Sequence, residues 1–185
     1  MNNTDYIVNL FRYFSKFVPK HVLKEMFRLP AGTQSHGYAE FASEALAQPD
    51  DSVIGDIGAF IVSANRKYVS DRIKANKGIV LFVEYGTFSY DPGATEGVKE
   101  QIAVTVCREF GFQNNDNLNE ALLMNTTNNI LTRILRQMSA DQGELEACGL
   151  GRLINFPAEI LPVDSETFFD NSGWTALFEN SHTEL

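Results

Sequence analysis

Gly78-Ile79-Val80-Leu81-Phe82-Val83-Glu84-Tyr85-Gly86, Gln101-Ile102-Ala103-Val104-Thr105-Val106-Cys107-Arg108-Glu109-Phe110 and the run from Asn117 to Met138 decide the fold. The first segment is apolar on both faces, as in a central strand covered on two sides. It continues past Gly86 as Thr87-Phe88-Ser89-Tyr90 to a turn at Asp91-Pro92-Gly93, with Gly86 marking a bulge or bend. The second segment has period two. Ile102, Val104, Val106 and Phe110 fall on one side and Thr105, Cys107 and Glu109 on the other, which predicts a half-buried strand. The link between the two strands is too short for a crossover helix, so an antiparallel pair over Ile79–Tyr90 and Ile102–Phe110 is expected. In the third segment Leu123, Thr127, Ile130, Leu131, Ile134 and Met138 recur at helical spacing on one face. Asn117 followed by Glu120 supplies a capping pattern at its start, and Gly143 a stop beyond its end.

Working outward, residues 1–28 divide at Pro19 into two short helices. Tyr6, Ile7, Leu10, Phe11, Phe14, Phe17 and Val18 face one way in the first, and Val22, Leu23, Met26 and Phe27 in the second, with the basic residues on the opposite side. Residues 30–52 read as a connector with a short helix from Tyr38 to Ala47. A strand at Ile57–Val62 and a short helix at Lys67–Asn76 follow. Late in the chain, Leu153-Ile154-Asn155-Phe156 is interrupted by Pro157, which demotes it to an edge strand or strand end, continued by Ala158–Val163. The last strand, Trp174–Phe178, is entered from an Asp170-Asn171-Ser172-Gly173 turn. The pattern predicts an α+β fold, a mainly antiparallel sheet with packed helices and an N-terminal helical segment. One domain is expected over residues 1–180, with a helical segment at 1–28, an α+β core at 53–180 and a frayed tail at 181–185.

Composition narrows the function classes. The chain has 185 residues, 44% of them hydrophobic, and 14 Phe, enough for a sizeable core. Cys107 and Cys148 form neither a disulfide framework nor a CxxC pair. Asp5, Arg12 and Lys16 interrupt any signal-peptide core, and no apolar run approaches the ~20 residues of a membrane span. Synthesis in the cytoplasm is expected. The formal charge is −9, and it is unevenly placed. Residues 1–28 carry Arg12, Lys16, Lys20, Lys24 and Arg28 against Asp5 and Glu25, whereas residues 141–185 carry nine acids against Arg152. An acidic chain with no interleaved basic and aromatic surface outside the N-terminus repels phosphate, so nucleic acid is not an expected partner. The basic amphipathic N-terminal helices have a shape that can lie on membranes, but packing on the core or on a subunit is the default for such faces, so membrane is not an expected partner either. The charge layout leaves open head-to-tail contact between subunits, a contact that salt would weaken, beside the plainer alternative of a solvated acidic surface that aids solubility. The expected partners are other protein subunits, in a homo-oligomer or with other components of an assembly.

Searches for chemistry in the sequence turn up little. His36, Glu40 and Glu44 share one face if residues 36–47 are helical, a geometry able to offer three metal ligands, but a solvated helix face has the same composition. Gly149-Leu150-Gly151 lacks the third glycine of a dinucleotide loop, where Ile154 stands instead, and turn or cap duty accounts for it. No Ser occupies a nucleophile elbow, Cys107 lies within a strand, and no acidic pair is singled out. No catalytic, cofactor-binding or metal residue is therefore assigned, no cofactor is implied, and no enzymatic activity is expected.

The order of helix, strand, short helix, long strand, strand, long helix and late strands resembles small phage and prophage tail proteins of the tail-terminator or tail-completion kind. The segments that carry the likeness are Gly78–Gly86, Gln101–Val106, Asn117–Met138 and Gly173–Phe178, about half of the chain. The resemblance implies a mainly antiparallel sheet with packed helices and assembly into rings at the end of a tail tube, with no catalytic residues to carry over. A structural or assembly subunit is the expected function, and the resemblance implies incorporation into a virion. A binding module that grips one protein through an acidic surface, as inhibitors and immunity proteins do, is the alternative.

Overall fold

The computed structural model describes residues 6–64, 78–86, 101–109, 117–151, 154, 156–163, 168 and 170–179. Among them are five α-helices: α1 (Tyr6–Ser15), α2 (Lys20–Met26), α3 (Tyr38–Ala47), α4 (Asn117–Ala140) and α5 (Gln142–Ala147). Five strands, β1 (Ile57–Ser63), β2 (Ile79–Tyr85), β3 (Gln101–Glu109), β4 (Glu159–Pro162) and β5 (Asn171–Glu179), form one sheet in the order β1-β2-β3-β5-β4. The β2–β3, β3–β5 and β5–β4 pairs are antiparallel, and β1–β2 is parallel. The fold is therefore α+β with a mainly antiparallel sheet. The expected β2–β3 pairing is present, with Leu81 opposite Val106 and Val83 opposite Val104. The parallel pair needs a crossover, and the chain over 64–78 is long enough to supply one.

Alternation along the strands divides the sheet into two apolar faces. On the first, Phe60, Leu81, Val83, Ile102, Val104, Val106, Ala176 and Phe178 join buried side chains of α1, α2 and α4 in the main core. On the second, Ala59, Ile61, Val80, Phe82 and Cys107 form a smaller cluster with Phe168 against it. This corrects the expectation of a half-buried β3. Ala103, Thr105 and Cys107 are buried like their neighbours, and Arg108 and Glu109 emerge at the strand's end. Thr105 is accommodated there because its hydroxyl lies 2.7 Å from that of Thr175 on the adjacent strand.

The long helix buries Thr127, Ile130, Leu131, Ile134, Leu135 and Met138, the stripe read from the sequence with Leu135 added, while Leu123 is half-buried. Each fully buried aliphatic side chain contributes roughly 1.5–3 kcal/mol. Thr127 satisfies its hydroxyl by donating to the Leu123 and Met124 carbonyls, and the Trp174 indole N–H donates to the Met124 carbonyl at 2.9 Å, tying β5 to α4. Asn117 is itself helical and is the first described residue of this helix, and the residues just before it lie outside the described ones. Gly143 does not stop this helix. The break lies at Asp141, and Gly143 is the second residue of α5.

The N-terminal helices meet at Pro19 as expected and turn their apolar faces onto the chain's own core. Leu10, Phe14, Phe17, Val18 and Leu23 are almost wholly buried. Phe11 joins α1 to three neighbours, its ring lying 4.9 Å from Phe60 of β1, 5.4 Å from Phe41 of α3 and 6.1 Å from Phe27. Two turns differ from the sequence reading. Strand β2 ends at Tyr85, before Gly86, and the expected continuation over 87–90 lies outside the described residues, as do the helix expected at 67–76 and the tail at 181–185. Strand β5 already begins at Asn171, directly after Asp170 with its φ of 61°, and Gly173 lies within the ladder opposite Cys107. A Cβ at Gly173 would overlap the Val106 carbonyl oxygen, so a side chain there would push β5 off β3.

Candidate functional site

Two regions of the molecule hold unusual polar or apolar groups. The first is a cleft of about 410 Å³ between α1 and the α4–α5 joint, lined by Asn9, Arg12, Lys16, Gln48, Asp141 and Cys148 among others. Asp141 sits where α4 breaks. Its side chain makes no capping bond to α5, and its backbone, at φ −90° and ψ 18°, is not in the extended conformation a capping residue takes. Oδ2 accepts from the Tyr13 hydroxyl at 2.9 Å and from Lys16 Nζ at 2.7 Å, and Oδ1 accepts from Gln137 Nε2 at 2.8 Å. Lys16 Nζ also donates to Glu144 at 2.9 Å and lies 4.0 Å from the centre of the Tyr13 ring. The side chains of Lys16 and Asp141 are only 13% and 14% exposed. Asn9 Nδ2 adds a bond to the Cys148 carbonyl, fixing α1 against the end of α5.

These contacts set the protonation states. Burial works to raise the Asp141 carboxyl, yet donation from Lys16, Gln137 and Tyr13 outweighs it and holds the group below its ordinary value. Tyr13 moves the other way. Burial first, then its hydrogen bond to Asp141 and the charges of Asp141 and Glu144, push its phenol well above the ordinary range. Burial likewise raises the Cys148 thiol, whose Sγ contacts the Leu145 carbonyl at 3.4 Å. The cleft thus contains a protonated phenol, a doubly paired ammonium and a protonated thiol, each engaged with a neighbour. Such a constellation clamps two helices together, and it presents neither an activated nucleophile nor a poised base.

This arrangement corrects one sequence expectation. Lys16 does not belong to a solvated basic face, since α1 turns it inward to meet two acids of the C-terminal part. Among the other N-terminal bases, Arg12 pairs with Glu44 at 2.7 Å, Lys20 with Asp50 at 3.0 Å and Arg28 with Glu25 at 3.5 Å. Opposite charges separated along the sequence therefore meet within one chain. Which carboxylates converge was not legible, although Asp141 and Glu144 at three-residue spacing behind a helical stripe, with an excess of lysines far upstream, were the available signal.

The metal face read at His36, Glu40 and Glu44 is not assembled. His36 precedes α3 in a turn closed by Gly37 at φ 79°, and Glu44 is directed to Arg12. Among the described residues no three His, Cys, Asp or Glu side chains gather in a way that would hold a metal ion. Cys107 is buried inside β3, where desolvation pushes its thiol up to about 12. Gly149, at φ 80°, ends α5, and the Leu150 and Gly151 N–H groups both return to the Leu145 carbonyl, which is the cap role expected of that segment.

The second region is the outer edge of the sheet. All four residues of β4 are exposed, and Ile160 and Leu161 are 43% and 39% accessible on opposite faces. Phe156, 39% accessible, stands just ahead of them with its ring 5.6 Å from that of Phe178. Val163 donates to the Gly173 carbonyl at 2.9 Å and Pro162 lies opposite Trp174, which fixes the direction of every backbone group in the strand. Glu159, Leu161 and Val163 direct N–H and C=O toward β5, while Ile160 and Pro162 direct theirs outward. Pro162 is tolerated because the N–H it lacks would have faced away from the ladder. Among the described residues, the outward N–H and C=O of Ile160 meet no backbone partner. No helix among the described residues is long and apolar enough to cross a membrane. The chain matches no family model, no curated protein and no solved structure.

Proposed function

We propose that this chain is a non-enzymatic assembly subunit that makes its protein contacts along the β4 edge. The observation that carries the reading is the exposed strand itself, with apolar side chains on both faces and, among the described residues, unpaired backbone groups along its rim. Sheet edges of this kind are the usual template for strand addition by another polypeptide. The polar cleft supports the same reading from the other side, because its ionisable groups are spent on one another. Among assemblies, the end of a phage tail tube is the one the element order resembles, and a tail-terminator or tail-completion role is the specific form of the proposal. Sedimentation equilibrium of the full chain tests it. Self-association is expected, and the double substitution Ile160→Lys with Leu161→Lys should dissociate it, since lysines on an edge strand oppose pairing. A wild-type chain that stays monomeric at every concentration would contradict the reading.

A further inference from the structure

The rim of β4 has a symmetry that selects its partner. Resting on the assembly reading above, we infer that the edge pairs antiparallel with β4 of a second copy, across a two-fold axis through Ile160. The outward backbone groups set the register. With the axis on Ile160, the two Ile160 residues exchange both N–H···O=C bonds, and Pro162 of each copy falls opposite Ala158 of the other. The N–H that Pro162 lacks is then needed only at the end of the ladder, while its carbonyl remains free to accept from Ala158. Side chains agree with this register. Ile160 meets Ile160 on one face, and on the other Glu159 lies opposite Leu161 rather than opposite its own twin.

Neighbouring registers are worse. An axis on Glu159 places the two carboxylates face to face in the closer, non-hydrogen-bonded type of pair, which is unfavourable between two chains that each carry a charge of −9. An axis on Leu161 leaves only the bonds from Ile160 to the opposite Pro162 carbonyl within the strand. A four-residue strand makes a small contact against the ~1,200–2,000 Å² of a stable interface, so the pair forms reversibly. Two-fold pairing is also self-limiting, since it consumes the rim that makes it, so any ring of more than two copies would be closed through a second surface.

Two measurements on the full chain test the inference. The first is cross-linking of the Ile160→Cys variant. Cα atoms opposite each other in a hydrogen-bonded antiparallel pair lie ~5.5 Å apart, within the ~4.4–6.8 Å that a disulfide spans, whereas two copies of residue 161 are diagonal neighbours at ~7–8 Å. Under mild oxidation Ile160→Cys should give a covalent dimer, and the similarly exposed Leu161→Cys should not. The second is Ile160→Pro, which removes the outward N–H without touching a bond to β5, as Pro162 already does one pair further on. It should weaken association by on the order of tenfold or more, with the circular dichroism spectrum unchanged. Association that survives Ile160→Pro in the folded protein, or cross-linking of Leu161→Cys as fast as that of Ile160→Cys, overturns the inference and leaves the assembly reading standing. A chain that is monomeric throughout and whose Ile160→Cys variant gives no covalent dimer, as expected if the edge receives an extended segment of a different protein, overturns both.

Discussion

The α1–α5 joint and the β4 edge treat polar groups in opposite ways. At the joint, Lys16, Tyr13, Asp141 and Gln137 are drawn out of water and each is matched by a partner within 3 Å. At the edge, Ile160 leaves an amide and a carbonyl outward, beside apolar side chains that the core does not cover. Buried polar groups left unpaired are costly, so the first region is a condition of folding, whereas exposed backbone groups are satisfied by water until something better arrives. The difference teaches where substitutions should act. Changes at the joint should move stability, and changes at the edge should move association.

The largest expected effect is Lys16→Glu. It removes the largely buried cation and sets a third carboxylate beside Asp141 and Glu144, and breaking one partner of a pair costs up to about 3–5 kcal/mol where burial is complete. Chemical denaturation should show a loss of that order. A near-neutral result would mean that the joint is solvated after all. Next come Leu131→Ala and Ile134→Ala, each expected to cost about 2–5 kcal/mol, because both side chains are fully buried under the sheet. Equal melting temperatures for these variants and the wild type would misplace the helix face.

The joint also carries a pH signature. Asp141 is held below its unfolded value, so its contribution is present above about pH 4 and is lost as pH falls through the lower folded value. Tyr13 is raised, so its contribution is complete below about pH 10 and is lost as pH climbs toward the higher folded value. Stability against pH should therefore fall at both ends, and Tyr13→Phe should remove its share of the alkaline limb and, by taking away one of the three donors that lower Asp141, also soften the acid limb. Smallest of all is Arg12→Ala. Its pair with Glu44 is about half exposed on both sides, and such pairs contribute about 0.2–1 kcal/mol. A larger loss in thermal melts would make that pair part of the clamp.

Much of the fold was legible because it rests on local pattern. The alternation of Ile102, Val104 and Val106, the helical stripe through Leu131 and Ile134, the stop at Pro19 and the short link between β2 and β3 each encode an element or a pairing directly. What was not legible depends on distant neighbours. Thr105 and Cys107 read as a wet face, yet a second cluster covers that side of the sheet. Gly173 read as a turn residue, whereas its role is to let β5 lie close on β3. Lys16 read as one of a periodic basic row, and only the three-dimensional approach of α1 to Asp141 removes it from that row. The β4 edge was partly visible through Pro157, which announces an edge strand or strand end. Its outward parity required the register against β5.

The most direct measurement is sedimentation velocity of the wild-type chain over a range of protein concentrations, at low and at high salt. With the N-terminal bases largely paired inside the chain and two acidic copies meeting at an apolar rim, association should rise with protein concentration and strengthen as salt screens their mutual repulsion. Association that weakens steadily as salt rises would point to contact between oppositely charged ends and contradict the assignment of β4 as the meeting surface.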